Sequence, residues 1–287
     1  MKNQWFISIK KNEGDLDLTN LKHNYPPKGY YWADPFLYQK DGKDYIFYEL
    51  YDYKKGVIAY SEINDDMSFT DPTVILDLGY HMSYPFLIED NGELYMIPEN
   101  GAKWESLQNP QTSKTDPKTG HYIIEEENCG IDIFKCVSFP DKWEFEKTLF
   151  KGVVAGDSNI LKFNNKYLLF TTLSPDMGKN YIVFSSDSLL GEYNPIIKSL
   201  TPHSRSAGVI YLDEESQKIM RFTQNSGGGY GININLKSIK IDFENKKWEE
   251  DLIHRINPDW HPDIFGTHHL DFNDKYIVVD GKRKIND

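Results

Sequence analysis

Apolar residues along this chain fall in short runs of four to seven, separated by Asp, Asn, Gly and Lys, and helical periodicity is scarce. Runs of this length, rich in Tyr, Phe, Ile and Val, predict β-strands rather than helices. Residues 41–43, 90–93 and 164–166 are predicted hairpin turns, because Asn and Gly accept the positive φ angles that tight turns need. The pattern therefore predicts an all-β protein.

One phrase recurs five times: a small or polar start, an apolar strand, a charged turn, a second apolar strand and a polar end. The copies cover 33–49, 83–99, 156–172, 206–224 and 267–280. Counted from residues 34, 84, 157, 206 and 267, successive copies lie 50, 73, 49 and 61 residues apart. Propeller blades of about 40 to 50 residues with insertions have this spacing. We therefore predict a five-bladed β-propeller.

Two stretches lie outside the repeated phrase. The N-terminal strand around Trp5–Ile9 is predicted to complete the last blade, since closure removes an exposed sheet edge. Residues 101–127 are polar with few apolar positions, which predicts an insertion in blade two, either a lid over the axial mouth or an inert surface loop. No linker or shift in composition divides residues 1–287, so we expect a single domain.

Composition narrows the function classes. The net charge of −12 and the pI of about 5.2 argue against a nucleic-acid polymer as partner. Neither a secretory leader nor an apolar run long enough to cross a membrane is visible, so we expect a cytoplasmic protein without a transmembrane segment. Cys129 and Cys136 have no accompanying His cluster and do not form a zinc pattern. No metal and no cofactor is predicted.

The starts and ends of the five copies are the candidates for chemistry, because a propeller brings equivalent loop positions together around its axis. These residues are Asp34, Glu49, Tyr84, Glu99, Asp157, Arg205, Gln224, His268 and Asp280. Carboxylates confined together shift one another's pKa, because they cannot all ionise easily. One acid and one base can then coexist at the same pH, as glycosidic chemistry requires.

Further candidates flank these positions: Trp32, His81, Tyr230 and Arg283 are predicted to contact substrate. His268 and His269 are adjacent, so on a strand at most one of them would face the channel. The glycine-rich run 226–231 lacks a following Lys-Ser or Lys-Thr and precedes a strand, which excludes a P-loop. No Gly-x-Ser-x-Gly elbow supports a nucleophilic serine.

Several short motifs in a fixed order carry a family resemblance. They are His81–Pro85, Tyr95–Glu99, Gly156–Ser158, Arg205–Gly208, Arg221–Gln224, Tyr230–Gly231, Gly266–His268 and Asp280–Arg283. This order resembles the N-terminal propeller of glucosamine inositolphosphorylceramide transferases, within the superfamily of family-43 and family-32 glycoside hydrolases. The resemblance implies a carbohydrate-active protein in which a first-blade Asp acts as base or nucleophile and a third-blade Asp orients or tunes it. Asp34 and Asp157 match these two positions.

One departure from the hydrolases concerns Arg205, which stands where they are expected to have an acidic Glu. Glu99 then remains as a candidate acid or base. An Arg beside Asp34 and Asp157 would lower their pKa values and would suit an anionic group such as a phosphate.

We therefore expect glycosyl transfer in cell-surface polysaccharide biosynthesis, with Asp34 or Glu99 as base and Asp157 positioning it. Arg205 and Arg283 would hold a nucleotide-sugar or phospho-sugar, and partner glycan-assembly enzymes are expected. The alternatives are an inverting glycoside hydrolase of furanosidase type and a noncatalytic glycan-binding propeller.

Overall fold

The structure is a computed structural model that describes residues 2–100, 130–173, 181–199, 205–225, 227 and 229–286. These residues contain β-strands and no helix, so none of them forms a helix that could span a membrane. The strands are β1 Lys2–Lys11, β2 Lys22–Asn24, β3 Tyr31–Lys40, β4 Lys43–Tyr51, β5 Gly56–Glu62, β6 Thr73–Leu76, β7 Ser83–Asp90, β8 Glu93–Glu99, β9 Gly130–Ser138, β10 Lys142–Lys151, β11 Ala155–Phe163, β12 Lys166–Leu173, β13 Tyr181–Ser186, β14 Asn194–Ser199, β15 Ser206–Asp213, β16 Lys218–Asn225, β17 Asn233–Asp242, β18 Lys247–Ile256, β19 Ile264–Gly266, β20 Leu270–Phe272 and β21 Tyr276–Ile285. The predicted insertion 101–127 and Cys129 lie outside the described residues, and the single domain stays a prediction.

The strands assemble into antiparallel units, four with four strands each and one with five. Three are separate sheets, ordered β3-β4-β5-β6, β7-β8-β9-β10 and β11-β12-β13-β14. The remaining sheet has the order β18-β17-β16-β15-β20-β21-β1-β2, with β19 also paired to β21. It divides at one parallel bridge, between Gly208 and Leu270, into two further units. We interpret the five units as blades one to five in the order β3–β6, β7–β10, β11–β14, β15–β18 and β19–β21 with β1 and β2.

The N-terminal strand completes blade five. β1 pairs antiparallel with β21 over its whole length, from Lys2 opposite Ile285 to Lys11 opposite Tyr276. The predicted closure by the first strand is therefore confirmed. Because the two ends of the described chain share one sheet, β21 is paired on both sides and presents no open edge.

The repeated phrase encodes a β-bulge at the start of each of the first four inner strands. Pairing of β3, β7, β11 and β15 with the next strand shifts register between Ala33/Phe36, Ser83/Phe86, Gly156/Asn159 and Ser206/Ile210, respectively. The bulges of β3, β7 and β11 contain Asp34, Tyr84 and Asp157, with φ of 53°, 51° and 47°, and that of β15 contains Gly208, with φ of 119°. Residues other than Gly rarely adopt positive φ, and a bulge re-aims the side chain it carries. The first three bulges therefore place the equivalent side chains of Asp34, Tyr84 and Asp157 at the axis.

Apolar faces of neighbouring blades pack against each other and hold these inner strands in place. Ile7, Trp32, Tyr48 and Val278 belong to one buried cluster, which joins blades five and one. The inner ends of the strands are by contrast polar and still buried, including Asp34, Asp157 and Asp280. Buried ionisable groups are costly unless they are paired, so this polar centre is the candidate site.

Candidate functional site

An imidazole lies between two carboxylates at the centre of the molecule. His268 Nε2 is 3.4 Å from Asp34 Oδ1, and His268 Nδ1 is 2.6 Å from Asp280 Oδ2. Asp280 Oδ1 also accepts the backbone N–H groups of His268 and His269, at 2.9 and 3.0 Å. All of these side chains are buried. Asp280 therefore fixes the orientation in which His268 meets Asp34.

The charges in this group favour an ionised Asp34. Burial alone would raise the pKa of Asp34, but His268, His269 and Arg205 together lower it to about 2. Burial opposes the charged form of His268, yet Asp280 and Asp34 raise the pKa of its imidazole above the ordinary value. An opposite charge at short range favours both ionised forms. Asp34 thus remains a carboxylate at neutral pH.

Arg205 joins blades two, three and four. Its guanidinium donates to Asp157 through Nε and through Nη2, the latter at 3.2 Å, and Nη2 donates to Glu99 Oε2 at 2.7 Å. The Asp157 backbone N–H donates to the same Glu99 oxygen at 3.1 Å, and Gln224 Nε2 donates to Asp157 Oδ2 at 2.9 Å. One cation therefore serves two carboxylates.

Arg205 acts on the pKa of two Asp residues, Asp34 and Asp157, whose net pKa shifts differ in direction. It contributes to the lowered pKa of Asp34, as expected from the sequence. Burial raises the pKa of Asp157 well above its ordinary value, Arg205 opposes that rise, and Glu99 adds to it. Arg205 therefore lowers the pKa of Asp157 as expected from the sequence, while desolvation at the axis outweighs that effect.

The pKa of Glu49 is shifted in the opposite direction from that of Asp34. Burial raises the pKa of Glu49 well above its ordinary value, and the negative charges of Asp34, Glu99 and Asp280 raise it further. Its Oε1 is buried and has no hydrogen-bond partner among the described residues. The nearby nitrogen is His81 Nε2, at 3.4 Å. Glu49 pairs with Ala33 beside the bulge of Asp34, so a carboxyl group with a raised pKa and one with a lowered pKa share one end of blade one.

Gly56 makes room for the contact between Glu49 and His81. The Gly56 backbone N–H donates to His81 Nδ1 at 2.9 Å, which places the proton of the neutral imidazole on Nε2, facing Glu49. A Cβ at position 56 would lie 2.5 Å from Glu49 Oε1 and 2.7 Å from His81 Cε1. The absence of a side chain there is therefore a steric requirement of this arrangement.

The two adjacent histidines both reach the same carboxylate. His269 Nδ1 is 3.4 Å from Asp34 Oδ1, the distance found for His268 Nε2. Residues 267–269 lie between β19 and β20 and belong to neither strand, so the alternation of a strand does not apply to them. The expectation that only one histidine faces the channel therefore differs from the structure.

Tyr84 is a structural residue of the axis. Its side chain is fully buried, and its hydroxyl lies 3.1 Å from Asn159 Oδ1 and 3.1 Å from the Gly208 carbonyl oxygen. The Gly208 N–H donates to the same hydroxyl at 3.2 Å. These bonds tie the inner strands of blades two, three and four together, and they leave Tyr84 facing protein partners.

Two predicted substrate contacts lie away from the axial cluster. Trp32 is buried against Tyr48, with ring centroids 5.3 Å apart, in the apolar layer between blades. Arg283 donates to Gln4 Oε1 at 2.7 Å, and its guanidinium lies 3.9 Å from the Tyr25 ring centroid. Residues an odd number apart on a strand face opposite sides, so Arg283 and Asp280 cannot share a face of β21.

Lys282 occupies the face that Asp280 uses, and reasoning from the sequence missed it. Alternation counted from Asp280 would have identified it. Tyr230, in contrast, stands where it was predicted, at the rim of the cluster. Its ring meets His268 edge-on at 5.2 Å between centroids, and half of the residue is exposed.

A cation site is compatible with one part of the cluster. Ligand atoms of Asp34, His268 and Asp280 all lie within 4.8 Å of one another. His268 Nδ1 already contacts Asp280, so a cation would have His268 Nε2 and carboxylate oxygens as ligands. An oxygen-rich set suits hard divalent cations. The sequence-based expectation of no metal stays a prediction.

A large surface cavity does not coincide with this chemistry. It measures about 1050 Å³ and lies between residues 14–20 and the end of β18, near Trp260. None of the axial carboxylates lines it. The candidate site is therefore identified by the convergence of ionisable groups and not by the size of a cavity.

Comparison with known families identifies the group to which the chain belongs. The sequence profile described as glucosamine inositolphosphorylceramide transferase 1, N-terminal, matches residues 20–111 and 117–259. This chain belongs to that family. The resemblance inferred from the motifs is thereby confirmed.

Curated relatives are longer than this chain. Glucosamine inositolphosphorylceramide transferase 1 of Arabidopsis thaliana is 27% identical over 222 residues, covering 73% of this chain and 25% of that protein. The protein of the same name from Oryza sativa subsp. japonica is 24% identical over 235 residues, covering 77% of this chain and 28% of that protein. The chain thus spans about a quarter of the curated relatives it matches.

Solved structures share the fold at low sequence identity. An α-L-arabinofuranosidase of Podospora anserina, in complex with cellotriose, has a TM-score of 0.58 and 10% identity, covering 90% of this chain and 92% of that one. A family 117 glycoside hydrolase from Zobellia galactanivorans has a TM-score of 0.55 and 10% identity, with coverage of 99% and 92%. These likenesses support the all-β propeller fold.

Proposed function

We propose that this protein is a carbohydrate-active enzyme that transfers a glycosyl group, with Asp34 as base and Glu49 as proton donor. The observation that carries the proposal is the pair of opposite pKa shifts of two buried carboxyl groups at one end of blade one. The pKa of Asp34 is lowered to about 2, whereas the pKa of Glu49 is raised well above its ordinary value. Two carboxyl groups held in different states at one pH are what glycosidic chemistry uses.

The reaction follows from these two states. The acceptor hydroxyl donates a hydrogen bond to Asp34 while its oxygen attacks the anomeric carbon of the donor. The C–O bond to the acceptor forms, the bond to the leaving group breaks, and Glu49 gives its proton to the departing oxygen. A carboxylate with so low a pKa is a weak base. It nevertheless takes the hydroxyl proton late in the reaction, because bond formation makes that proton strongly acidic.

The engaged residues receive positioning roles. Arg205 is occupied by Asp157 and Glu99, so we assign it the task of holding those two carboxylates and not a donor phosphate. Glu99 accepts from Arg205, which makes Glu49 the better proton donor. Gln224 donates its amide N–H to Asp157, while its Oε1 is buried without a partner in the described part of the chain.

Transfer is preferred over hydrolysis because the curated relatives are named as transferases. Hydrolysis is the second candidate, and one observation favours it. The guanidinium at the axis is occupied by contacts with two carboxyl groups, which leaves the cluster suited to a neutral saccharide and a water molecule. The sequence-based expectations of a cytoplasmic location and of partner enzymes in surface-polysaccharide assembly stay predictions.

A mass-spectrometric screen separates these functions. Purified protein is incubated with pooled nucleotide sugars, phospho-sugars and short oligosaccharides, beside Asp34→Asn and Glu49→Gln. Asp44→Asn is the matched control, because Asp44 is a buried Asp of the same blade that contacts Lys275 and not the axis. Donor consumption lost in both axial variants supports transfer, and oligosaccharide cleavage lost in both supports hydrolysis. Undiminished turnover in Asp34→Asn contradicts both, and binding without any turnover indicates a noncatalytic propeller.

A further inference from the structure

A lysine surrounded by aromatic rings lies beside the axial cluster. Lys282 Nζ is 5.4 Å from the ring centroid of Trp5, 5.4 Å from that of Phe265 and 5.8 Å from that of Tyr230. Its Nζ also donates to the Tyr230 carbonyl oxygen at 3.4 Å. Aromatic faces attract an ammonium group through their quadrupole. The rings therefore hold the charge in place without neutralising it.

The position of Lys282 connects it to the proposed chemistry. It follows Asp280 by two residues on β21, so the two side chains share a face and their Cα atoms are about 7 Å apart. Lys282 pairs with Trp5 across the strands, and the Trp5 ring stacks on His268 at 4.1 Å between centroids. His268 in turn contacts Asp34. Lys282 is therefore one aromatic ring away from the residues that we place in the reaction.

Glycines shape this corner of the molecule. Gly231 has a φ of 67°, and a Cβ there would lie 2.7 Å from Trp5 Cη2. A Cβ on Gly266 would lie 2.4 Å from the Gly231 carbonyl oxygen and 3.4 Å from the Lys282 stem. The close packing of Trp5 and Lys282 thus depends on two positions without side chains, which indicates a built site and not a lysine lying loosely over the surface.

Among the described residues, the charge of Lys282 contacts aromatic rings and a carbonyl oxygen. Neither Lys282 nor Lys284, which follows it on the same face, forms an ion pair with a carboxylate among the residues that the structure describes. The chain as a whole carries a net charge of −12, so unpaired lysines beside the axis stand out against an acidic protein.

We propose that Lys282, with the rings of Tyr230 and Phe265, forms a subsite for the anionic group of a saccharide that reacts at Asp34. The ligand is a saccharide bearing a phosphate or a carboxylate. Tyr230 and Phe265 are 50% and 42% exposed, so each offers a ring on which the apolar face of a sugar can stack. This subsite takes the role that the sequence suggested for Arg205 and Arg283, both of which are engaged elsewhere. The inference rests on the proposed function.

Equilibrium titrations with three probes test the subsite. Wild-type protein is titrated with glucose 1-phosphate, glucuronate and glucose, at low ionic strength and in 0.5 M salt. We expect at least one anionic probe to bind about 10-fold more tightly than glucose, and added salt to reduce that preference. A preference for glucose 1-phosphate alone identifies a phospho-sugar site, and a preference for glucuronate alone identifies an acidic-saccharide site. Equal binding of all three probes overturns the proposal.

Variants assign the preference to Lys282. Lys282→Gln is expected to abolish it, and Lys282→Arg to retain most of it. Lys40→Gln is the matched control, because Lys40 also lies over an aromatic ring, 5.0 Å from the Phe139 centroid and away from the axial cluster. An unchanged preference in Lys282→Gln means that the lysine only packs on the rings, which also overturns the proposal.

The catalytic variant keeps this test separate from that of the proposed function. Asp34→Asn should keep the preference for the anionic probe while losing turnover in the mass-spectrometric screen. Full turnover in Asp34→Asn, together with lost preference in Lys282→Gln, would leave the subsite standing and refute the catalytic assignment. Lost turnover in Asp34→Asn, together with an unchanged binding preference in Lys282→Gln, would support the catalytic assignment and refute the subsite.

Discussion

Two buried charge clusters in this protein have opposite ratios of cations to carboxyl groups. On blade four, Glu250 accepts from Arg221 at 3.1 Å and from Lys237 at 2.8 Å, and the Arg221 guanidinium lies 3.9 Å from the Tyr181 ring. One carboxylate there serves two cations. At the axis, several carboxyl groups share one guanidinium and the imidazoles of His268, His269 and His81, and buried oxygens there have no hydrogen-bond partner among the described residues.

The difference lies in how each cluster is assembled and in what it is left to do. Arg221, Lys237 and Glu250 stand on the neighbouring strands β16, β17 and β18, and Arg221 is paired directly with Lys237. The axial cluster instead collects side chains from all five blades through bulges and short connections. In the blade-four cluster both cations are paired with Glu250, which stabilises the fold, whereas the axial cluster has more carboxyl groups than cations and its carboxyl groups differ in pKa. The comparison teaches that an excess of carboxyl groups over cations, and not burial alone, marks the functional region.

Replacement of Glu250 gives the largest expected effect on stability. Glu250→Gln leaves the charges of Arg221 and Lys237 buried without a carboxylate, which we expect to lower the free energy of unfolding by about 3–5 kcal/mol. Chemical denaturation measures this change, and Glu249→Gln, an exposed neighbour, serves as control. The activity of the molecules that remain folded should be unchanged. A loss below 1 kcal/mol would show that the blade-four cluster is not a stabilising element.

Replacement of Asp34 gives the largest expected effect on activity. Asp34→Asn removes the base, and we expect kcat to fall about 10³-fold, within the usual range for a general acid or base. Steady-state kinetics on the substrate found in the screen measures this loss. A decrease of less than 10-fold would assign the chemistry to another group.

Asp34 also makes stability depend on pH. Its folded pKa of about 2 lies below its ordinary value of 3.8. The ionised form therefore contributes roughly 2 kcal/mol of stability above that ordinary value, and this contribution disappears as the pH falls to the folded pKa. Denaturation of wild type and Asp34→Asn at pH 7 and at pH 2 should show a difference that is large at pH 7 and small at pH 2. A constant difference would contradict the lowered pKa.

Replacement of Glu49 should separate function from stability. Because its folded pKa is raised, the unfolded chain releases the Glu49 proton more readily, and this group opposes folding above the ordinary pKa of 4.5. Glu49→Gln should therefore raise the free energy of unfolding at pH 7, with no gain well below pH 4.5, while lowering kcat about 10²-fold. Thermal melts and kinetics at both pH values measure the two effects. If Glu49→Gln is instead less stable than wild type at pH 7, Glu49 is an ionised and paired carboxylate like Glu250, which contradicts its raised pKa.

More of the fold than of the candidate site could be predicted from the sequence. Periodic strands and the repeated phrase predicted the inner strands and the closure by β1, because both depend on local alternation and spacing. The bulges explain why Asp34 and Asp157 reach the axis, although only the recurrence of the phrase, and not their geometry, was visible. The partners of Arg205 could not be read, since Glu99 lies 106 residues away and the contact depends on the packing of three blades.

Other errors had a local signal. Side chains alternate along β21, so Arg283 lies on the face opposite Asp280 whereas Lys282 lies on the same face. The sequence alone therefore favours Lys282 over Arg283. Trp32, a predicted substrate contact, is a second such case. It faces the apolar layer because Trp32 pairs with Leu50 whereas Ala33 pairs with Glu49, and neighbouring pairs point to opposite faces. The opposite pKa shifts of Asp34 and Glu49 depend on burial and on distant charges, which no pattern of residues states.

The smallest expected effect concerns His81, which lies at the rim of the axial cluster. His81 Nε2 lies 3.4 Å from Glu49 Oε1, and its ring is partly exposed, so it is placed to orient the Glu49 carboxyl group and to exchange protons with water. His81→Ala should lower kcat about 10-fold, and His81→Gln by less, since the amide can still accept from Gly56 and donate to Glu49. A purely structural role would alter stability and leave the pH dependence of kcat unchanged. We instead expect the basic limb of that pH profile to move in His81→Ala and to return toward wild type in His81→Gln, because the environment of the Glu49 proton is what the substitution changes.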